Sequence, residues 1–152
     1  MNNIKTISIG ADHRGYRTKE FIKEKIKQMG YEVVDFGTNS EKSMDYPDVA
    51  IPVAESIRDG KTERGILFCS SGVGMSITAN KVKGIKAVLC YSKKIAEYSR
   101  LHNNTNLFCT GADYFDKNEI LEMIKIWLKT DFEKGRHQRR IGKIENYEKT
   151  LC

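Results

Sequence analysis

Five short runs rich in Ile, Val, Leu or Phe recur along the chain: Thr6 to Gly10, Glu32 to Phe36, Ile66 to Cys69, Lys86 to Cys90 and Asn106 to Thr110. Most intervals between them fit a helix, and those intervals carry apolar residues at helical spacing. Tyr16 to Met29 sets Ile22, Ile26 and Met29 on one face, and Glu119 to Leu128 does the same with Ile120, Ile124, Trp127 and Leu128. Val49 to Ile57 aligns Val49, Val53 and Ile57, with Pro47 and Pro52 expected at its entry, and Lys93 to Leu101 repeats the pattern. Parallel strands need crossover connections, and crossover helices cover the sheet they join. The alternation therefore predicts an α/β fold with a five-stranded parallel sheet covered on both faces. An extra C-terminal helix, about 138–151, carries Ile141, Ile144, Tyr147 and Leu151. It has no strand of its own to cover and is expected to pack on another subunit.

A chain of 152 residues is one domain, 1–152, long enough to bury a full core. Apolar and charged fractions of 39% and 30% exclude a disordered chain. No apolar stretch approaches the ~20 residues that span a bilayer, and no secretion signal is expected. The net charge of +6 favours an anionic partner, and much of the excess sits in "KGRHQRRIGK", Lys134 to Lys143. Cys69, Cys90, Cys109 and Cys152 show no C-x-x-C and no Cys/His pair at finger spacing, which argues against structural zinc. They read as free thiols in a reducing cytoplasm.

Cys69 ends the third run, and Ser70-Ser71-Gly72-Val73-Gly74 follows, leading into a helix expected to begin near Met75. Ligands of open α/β sheets bind beyond the carboxyl ends of the strands. Glycines let peptide N–H groups converge on an anion, and such a nest would also favour the thiolate of Cys69. The loop is no Walker A motif, having no Gly-Lys-Ser/Thr, and no dinucleotide fingerprint, since Ile77 stands where the third glycine would be. A cysteine-phosphatase loop would need arginine at Met75. What remains is a thiol base or nucleophile beside an oxyanion nest, or a core cysteine at a strand end.

"GADHRG" puts Asp12 and His13 after the first strand, though an Asp in such a turn is more often a helix cap. "DYPD", Asp45 to Asp48, reads as a turn with Tyr46 in it. "SRLHNNTN" places His102 and Asn103 at a helix end just before the fifth strand, where a histidine commonly serves the helix dipole. Individually these are weak signals; their joint expected fall at strand carboxyl ends points to a site.

"DHRGY", "YEVVDFGT", "DYPD", "CSSGVGMSITANK", "HNNTN" and "GRHQRR" occur in order across nearly the whole chain. Together they resemble the type B ribose-5-phosphate isomerases, within the larger family that includes galactose-6-phosphate and allose-6-phosphate isomerases. The resemblance implies a single Rossmann-like α/β/α sandwich, assembled as a homodimer or a pair of dimers with the active site between subunits. It implies Cys69 as the base at the sugar's C2 and His102 as the ring opener. The backbone of Ser70, Ser71, Gly72, Val73 and Gly74 would form the anion hole, and Asn103 would hold the substrate. Asp12, His13 and Tyr46 would line the sugar pocket, and Arg136 and Arg140 would grip the phosphate from the partner chain. The partner is then a small sugar phosphate, with no cofactor, metal, nucleic acid or membrane, in the cytoplasm.

Those residue types suit the chemistry. A carbon acid needs a base with a pKa near the working pH, and backbone N–H groups can take the charge that a metal would otherwise take. Two departures stand out. Ser71 replaces the family's usual threonine, keeping the hydroxyl. Asp113, in "CTGADYF", stands where many members carry a phosphate-binding arginine. Either Asp113 points away, or Arg14 or another basic residue substitutes, or the substrate differs. Having both Cys69 and His102 suggests a self-sufficient homo-oligomer. A six-carbon sugar phosphate, a non-catalytic sugar-phosphate sensor and a nucleic-acid contact through Lys134 to Lys143 are the rival readings.

Overall fold

The computed structural model describes residues 3–151. Its strands are β1 (Thr6–Ala11), β2 (Glu32–Asp35), β3 (Arg64–Cys69), β4 (Ala87–Leu89) and β5 (Leu107–Gly111). Its helices are α1 (Tyr16–Gln28), α2 (Pro47–Arg58), α3 (Val73–Ala79), α4 (Lys93–Leu101), α5 (Lys117–Lys129) and α6 (Arg136–Glu148). The strands form one parallel sheet in the order β2-β1-β3-β5-β4.

Side chains of a strand alternate between faces, and β3 shows what that does here. Ile66 and Phe68 enter a core with Ile22 and Ile26 of α1, Ala96 of α4, and Ile124 and Trp127 of α5. Leu67 and Cys69 enter a second core with Val49 and Val53 of α2 and Met75 and Ala79 of α3. Helices thus cover both faces, as the alternation predicts, and the architecture is a Rossmann-like α/β/α sandwich. Burying a residue such as Phe68 or Leu67 on either face contributes roughly 1.5–3 kcal/mol.

Three details differ from the sequence expectation. Pro52 lies inside α2 rather than at its entry; only Pro47 occupies the first turn. A proline there leaves the Asp48 carbonyl without its intrahelical donor, a loss tolerable where that residue is exposed. α3 starts at Val73, two residues before Met75, because Gly72 supplies the left-handed turn that precedes it. α6 runs from Arg136 to Glu148 and packs on its own chain: Ile141 is buried, Glu148 accepts the Gly84 N–H at 2.9 Å and Glu145 pairs with Lys86 at 3.3 Å. Ile144, Tyr147 and Leu151 remain more than half exposed. Cys69, Cys90 and Cys109 are free thiols, and Cys152 lies outside the described residues. Among the described residues no helix is long and apolar enough to cross a membrane.

Candidate active site

At the carboxyl edge of the sheet, β3 ends at Cys69, 5% exposed. Gly72 adopts φ +82°, and a Cβ there would come within 2.7 Å of the Thr110 backbone, so only glycine fits. In that conformation its amide turns back and donates to Cys69 Sγ at 3.1 Å. Ser71 Oγ accepts the Val73 N–H at 3.2 Å, and the Ser71 carbonyl accepts the Tyr91 phenol at 2.6 Å. The Tyr46 ring lies directly over Gly74, where an added Cβ would meet its Cζ at 2.5 Å. Cys69, the Ser70–Gly74 loop and Tyr46 therefore do come together. Tyr91 was not legible as part of this loop, because its contact is to a backbone carbonyl twenty residues away.

The β1 end joins the same edge. Asp12 Oδ1 accepts the Arg14 and Gly15 N–H groups at 2.9 and 3.1 Å, which fixes the turn leading into α1; the N-cap itself is Gly15, so Asp12 is not the helix cap. His13 Nδ1 accepts the Met44 N–H at 3.2 Å, which leaves Nε2 as the protonated nitrogen of the neutral ring. Asp113 does not point away. Its Oδ2 accepts the Ser70 hydroxyl at 2.7 Å and Arg14 Nη2 at 2.6 Å, and these two donors hold its carboxyl below the usual range.

His102 and Asn103 lie elsewhere. The sequence reading put them with the other residues at strand carboxyl ends; the structure sets them at the amino end of β5. A parallel crossover must return the chain to the start of the next strand, so a residue closing α4 falls at the far edge. A strand the length of β5 rises about 15 Å, so within one chain His102 is remote from Cys69. α5 also ends at that far edge: Glu133, just beyond it, donates its N–H to the Leu101 carbonyl at 3.0 Å. α6 begins there too and brings its own residues to His102. The His137 ring stacks on His102, with centroids 4.2 Å apart and planes 13° from parallel. His137 is 6% exposed, and its Nε2 has no hydrogen-bond partner among the described residues. Burial pushes its pKa down, with His102 and Arg136 acting in the same direction. Arg136 and Arg140 are exposed on the same helix. Sequence reasoning passed over His137 because only its packing on His102 singles it out.

His102, Glu133 and His137 bring ligand-type atoms within 4.8 Å of one another. Imidazole lone pairs lie in the ring plane, and two nearly parallel planes share no point within metal-bond reach. The stack as it stands is not arranged around a metal ion, and the neighbouring Arg136 and Arg140 suit an anion better. A groove of about 540 Å³ runs between α6 and β4. Asn103 is the one candidate residue on its wall, with Ile85, Leu89, Ile141, Ile144 and Tyr147.

A cysteine whose sulfur takes a backbone N–H from a glycine loop, at the carboxyl edge of a parallel sheet, is the equipment of an enzyme acting on small anionic molecules. Residues 7–144 match the ribose/galactose isomerase family. The chain is 39% identical to ribose-5-phosphate isomerase B of Escherichia coli over 145 residues, covering 95% of this chain and 97% of that protein. The ribose-5-phosphate isomerase B structure from Clostridium thermocellum superposes with a TM-score of 0.95 at 44% identity, over 97% of this chain and 99% of that one. The Mycoplasma genitalium enzyme, solved with bound ribulose-5-phosphate, gives a TM-score of 0.92 at 41% identity, over 96% and 97%. The chain belongs to the ribose/galactose isomerase family, and is by class a sugar-phosphate aldose–ketose isomerase.

Proposed function

We propose that the chain interconverts ribose 5-phosphate and ribulose 5-phosphate through an enediolate. The observation that carries this reading is the Cys69 sulfur held by the Gly72 amide at the mouth of the Ser70–Gly74 loop, in a chain of this family. The relative solved with ribulose-5-phosphate supports the five-carbon substrate. Cys69, as thiolate, takes the C2 proton of the open-chain aldose. The electron pair moves to the C1 carbonyl, and the developing oxyanion is met by loop N–H groups. Losing one such donor costs about 3–4 kcal/mol in the barrier. The Ser71 hydroxyl can pass a proton between the two oxygens, and Cys69 returns its proton to C1. His102 opens the ring, Asn103 orients the chain, Asp12, His13 and Tyr46 line the sugar, and Arg136 and Arg140 hold the phosphate. Two arginines four apart on a helix share a face and can close on one phosphate.

Because Cys69 and His102 stand at opposite sheet edges, a site using both draws them from two copies of the chain. A twofold homodimer supplies two such sites, and the exposed Ile144, Tyr147 and Leu151 of the C-terminal segment offer it an apolar surface. The test is a coupled assay with ribose 5-phosphate, then allose 6-phosphate and galactose 6-phosphate. Cys69→Ala and His102→Asn should each be inactive on the cyclic substrate. Unfolding and refolding the two variants together should restore activity to about a quarter of wild type, since half the dimers are mixed and each mixed dimer has one intact site. A mixture as inactive as its components refutes the shared site; near wild-type turnover by Cys69→Ala refutes the base.

A further inference from the structure

A carboxylate is badly placed beside an anion nest, yet Asp113 stands at its rim. The Asp113 N–H donates to the Ser70 carbonyl at 3.2 Å while its Oδ2 accepts the Ser70 hydroxyl at 2.7 Å, so both its backbone and its side chain are tied to the loop after Cys69. The same oxygen takes Arg14 Nη2 at 2.6 Å. Arg14 is fixed at its other end as well, since its N–H donates to Asp12 Oδ1 at 2.9 Å and the Asp12 N–H donates to the Phe68 carbonyl at 3.2 Å. Exposed ion pairs usually contribute little because two floppy side chains must be ordered to form them. Here both partners are rooted in turns at the ends of strands that share one sheet edge, and the consequence is position rather than stability.

A guanidinium has five N–H donors, and the structure assigns only one of Arg14's to a protein acceptor among the described residues. Its side chain is 58% exposed against 36% for Asp113. Arg14 is the more exposed of the two, and its remaining donors stand at the rim of the loop, while the Asp113 carboxylate is engaged by Arg14 and by Ser70. We propose that Arg14 is a substrate-binding residue that takes the phosphate end of the sugar phosphate, with Asp113 and Ser70 as the residues that position it. This rests on the isomerase reading above and deepens it: the Cys69 half of the site carries its own phosphate contact, in addition to the arginines of α6. Charge-assisted bonds between arginine and phosphate are among the stronger hydrogen bonds, so the contact should weigh on affinity.

The test compares wild type with Arg14→Ala, Arg14→Lys and the double variant Arg14→Ala/Asp113→Ala. Calorimetry with inorganic phosphate and steady-state kinetics with ribose 5-phosphate are the two readouts. Arg14→Ala should raise both the phosphate Kd and KM roughly tenfold to a hundredfold, with kcat within about twofold. Arg14→Lys should recover part of that loss. The double variant should bind phosphate better than Arg14→Ala, because the uncovered carboxylate is gone. The urea midpoint without ligand should be nearly the same for wild type and Arg14→Ala, because an exposed ion pair contributes little to stability, whereas a merely structural role for Arg14 would lower it. Unchanged KM and phosphate Kd in Arg14→Ala overturns the proposal while leaving the isomerase reading intact. Should wild type fail to isomerise any sugar phosphate, that reading falls, and phosphate calorimetry on the same proteins still decides whether Arg14 binds the anion.

Discussion

The amide of Gly72 donates to the sulfur of Cys69 at 3.1 Å, a bond that exists only because residue 72 sits at φ +82°. Gly72→Ala should therefore damage stability and activity together. A side chain in the left-handed region costs about 1–2 kcal/mol, and the added carbon would press on the Thr110 backbone and Leu89. Denaturant unfolding should show a loss of about 3 kcal/mol, with overpacking supplying the remainder. Isomerase kcat/KM should fall more than tenfold, since the donor to sulfur moves with the backbone. Wild-type kcat/KM in the variant would show that this amide does nothing for the sulfur.

The three described cysteines should differ sharply toward alkylation. Burial pushes the Cys90 thiol up to about 11 and the Cys109 thiol well above its ordinary value. Both are fully buried, Cys90 beneath α5 beside Met123 and Cys109 beneath α3. Thiolate is the reactive form, so neither should react near neutral pH. Iodoacetamide should inactivate the enzyme with the label at Cys69, and a sugar phosphate should slow the reaction. Mass mapping that found Cys90 or Cys109 modified at the same rate would contradict this.

What the sequence made legible follows from how local each cause is. The five strands and the Ser70–Gly74 loop rest on periodicity and glycine placement within a few residues, and every strand end falls within two residues of where it is expected. The position of His102 rests on topology. Nothing within "SRLHNNTN" says that the segment closes a crossover at the opposite edge from Cys69, and only strand order reveals it. The Arg14–Asp113 pair spans 99 positions, and His137 gains its meaning from a ring 35 residues earlier. The Pro52 error has the opposite origin, a local rule overridden because α2 exposes the carbonyl that the proline leaves free.

Lys19 illustrates how the fold secures the loop over the site. Its side chain is fully buried, and its ammonium bonds both oxygens of Asp35 at 2.8 Å. Burial works to raise the Asp35 pKa, but Lys19 and Lys23 outweigh it and the carboxyl stays below its ordinary value. Asp35 Oδ1 also accepts the Gly37 N–H at 2.9 Å, at the start of the segment that carries Met44 and Tyr46. Asp35→Ala leaves a buried ammonium with Glu20 at 3.0 Å and the face of the Tyr16 ring at 5.6 Å, and no carboxylate held as closely as Asp35 among the described residues. The expected destabilisation is about 3 kcal/mol by urea unfolding, at the lower end for a broken buried pair because Asp35 is partly solvated. KM should rise as well, since Tyr46 loses its support. The double variant Lys19→Met/Asp35→Ala should recover most of the stability, because an apolar pair carries no desolvation cost. A double variant no more stable than Asp35→Ala would locate the damage in the loop instead.

His137 should make the protein less stable in mild acid. Burial lowers its pKa from the ordinary 6.5, His102, Arg136 and Arg140 push the same way, and Glu133 opposes them. Between the lowered folded value and about 6.5 the unfolded chain binds a proton that the folded chain does not, so stability must fall as pH drops through that window. The contribution is intact above pH 6.5 and is lost as pH falls to the folded value. The urea midpoint of wild type should decline from pH 7.5 to 5.5. His137→Phe, which can still stack on His102, should decline less over the same range, and the difference between the two curves isolates His137 from the acidic groups that titrate lower. Parallel curves for the two proteins would mean that His137 accepts its proton as readily in the folded chain as in the unfolded one, and that burying Nε2 with Glu133 no nearer than 3.9 Å imposes no cost.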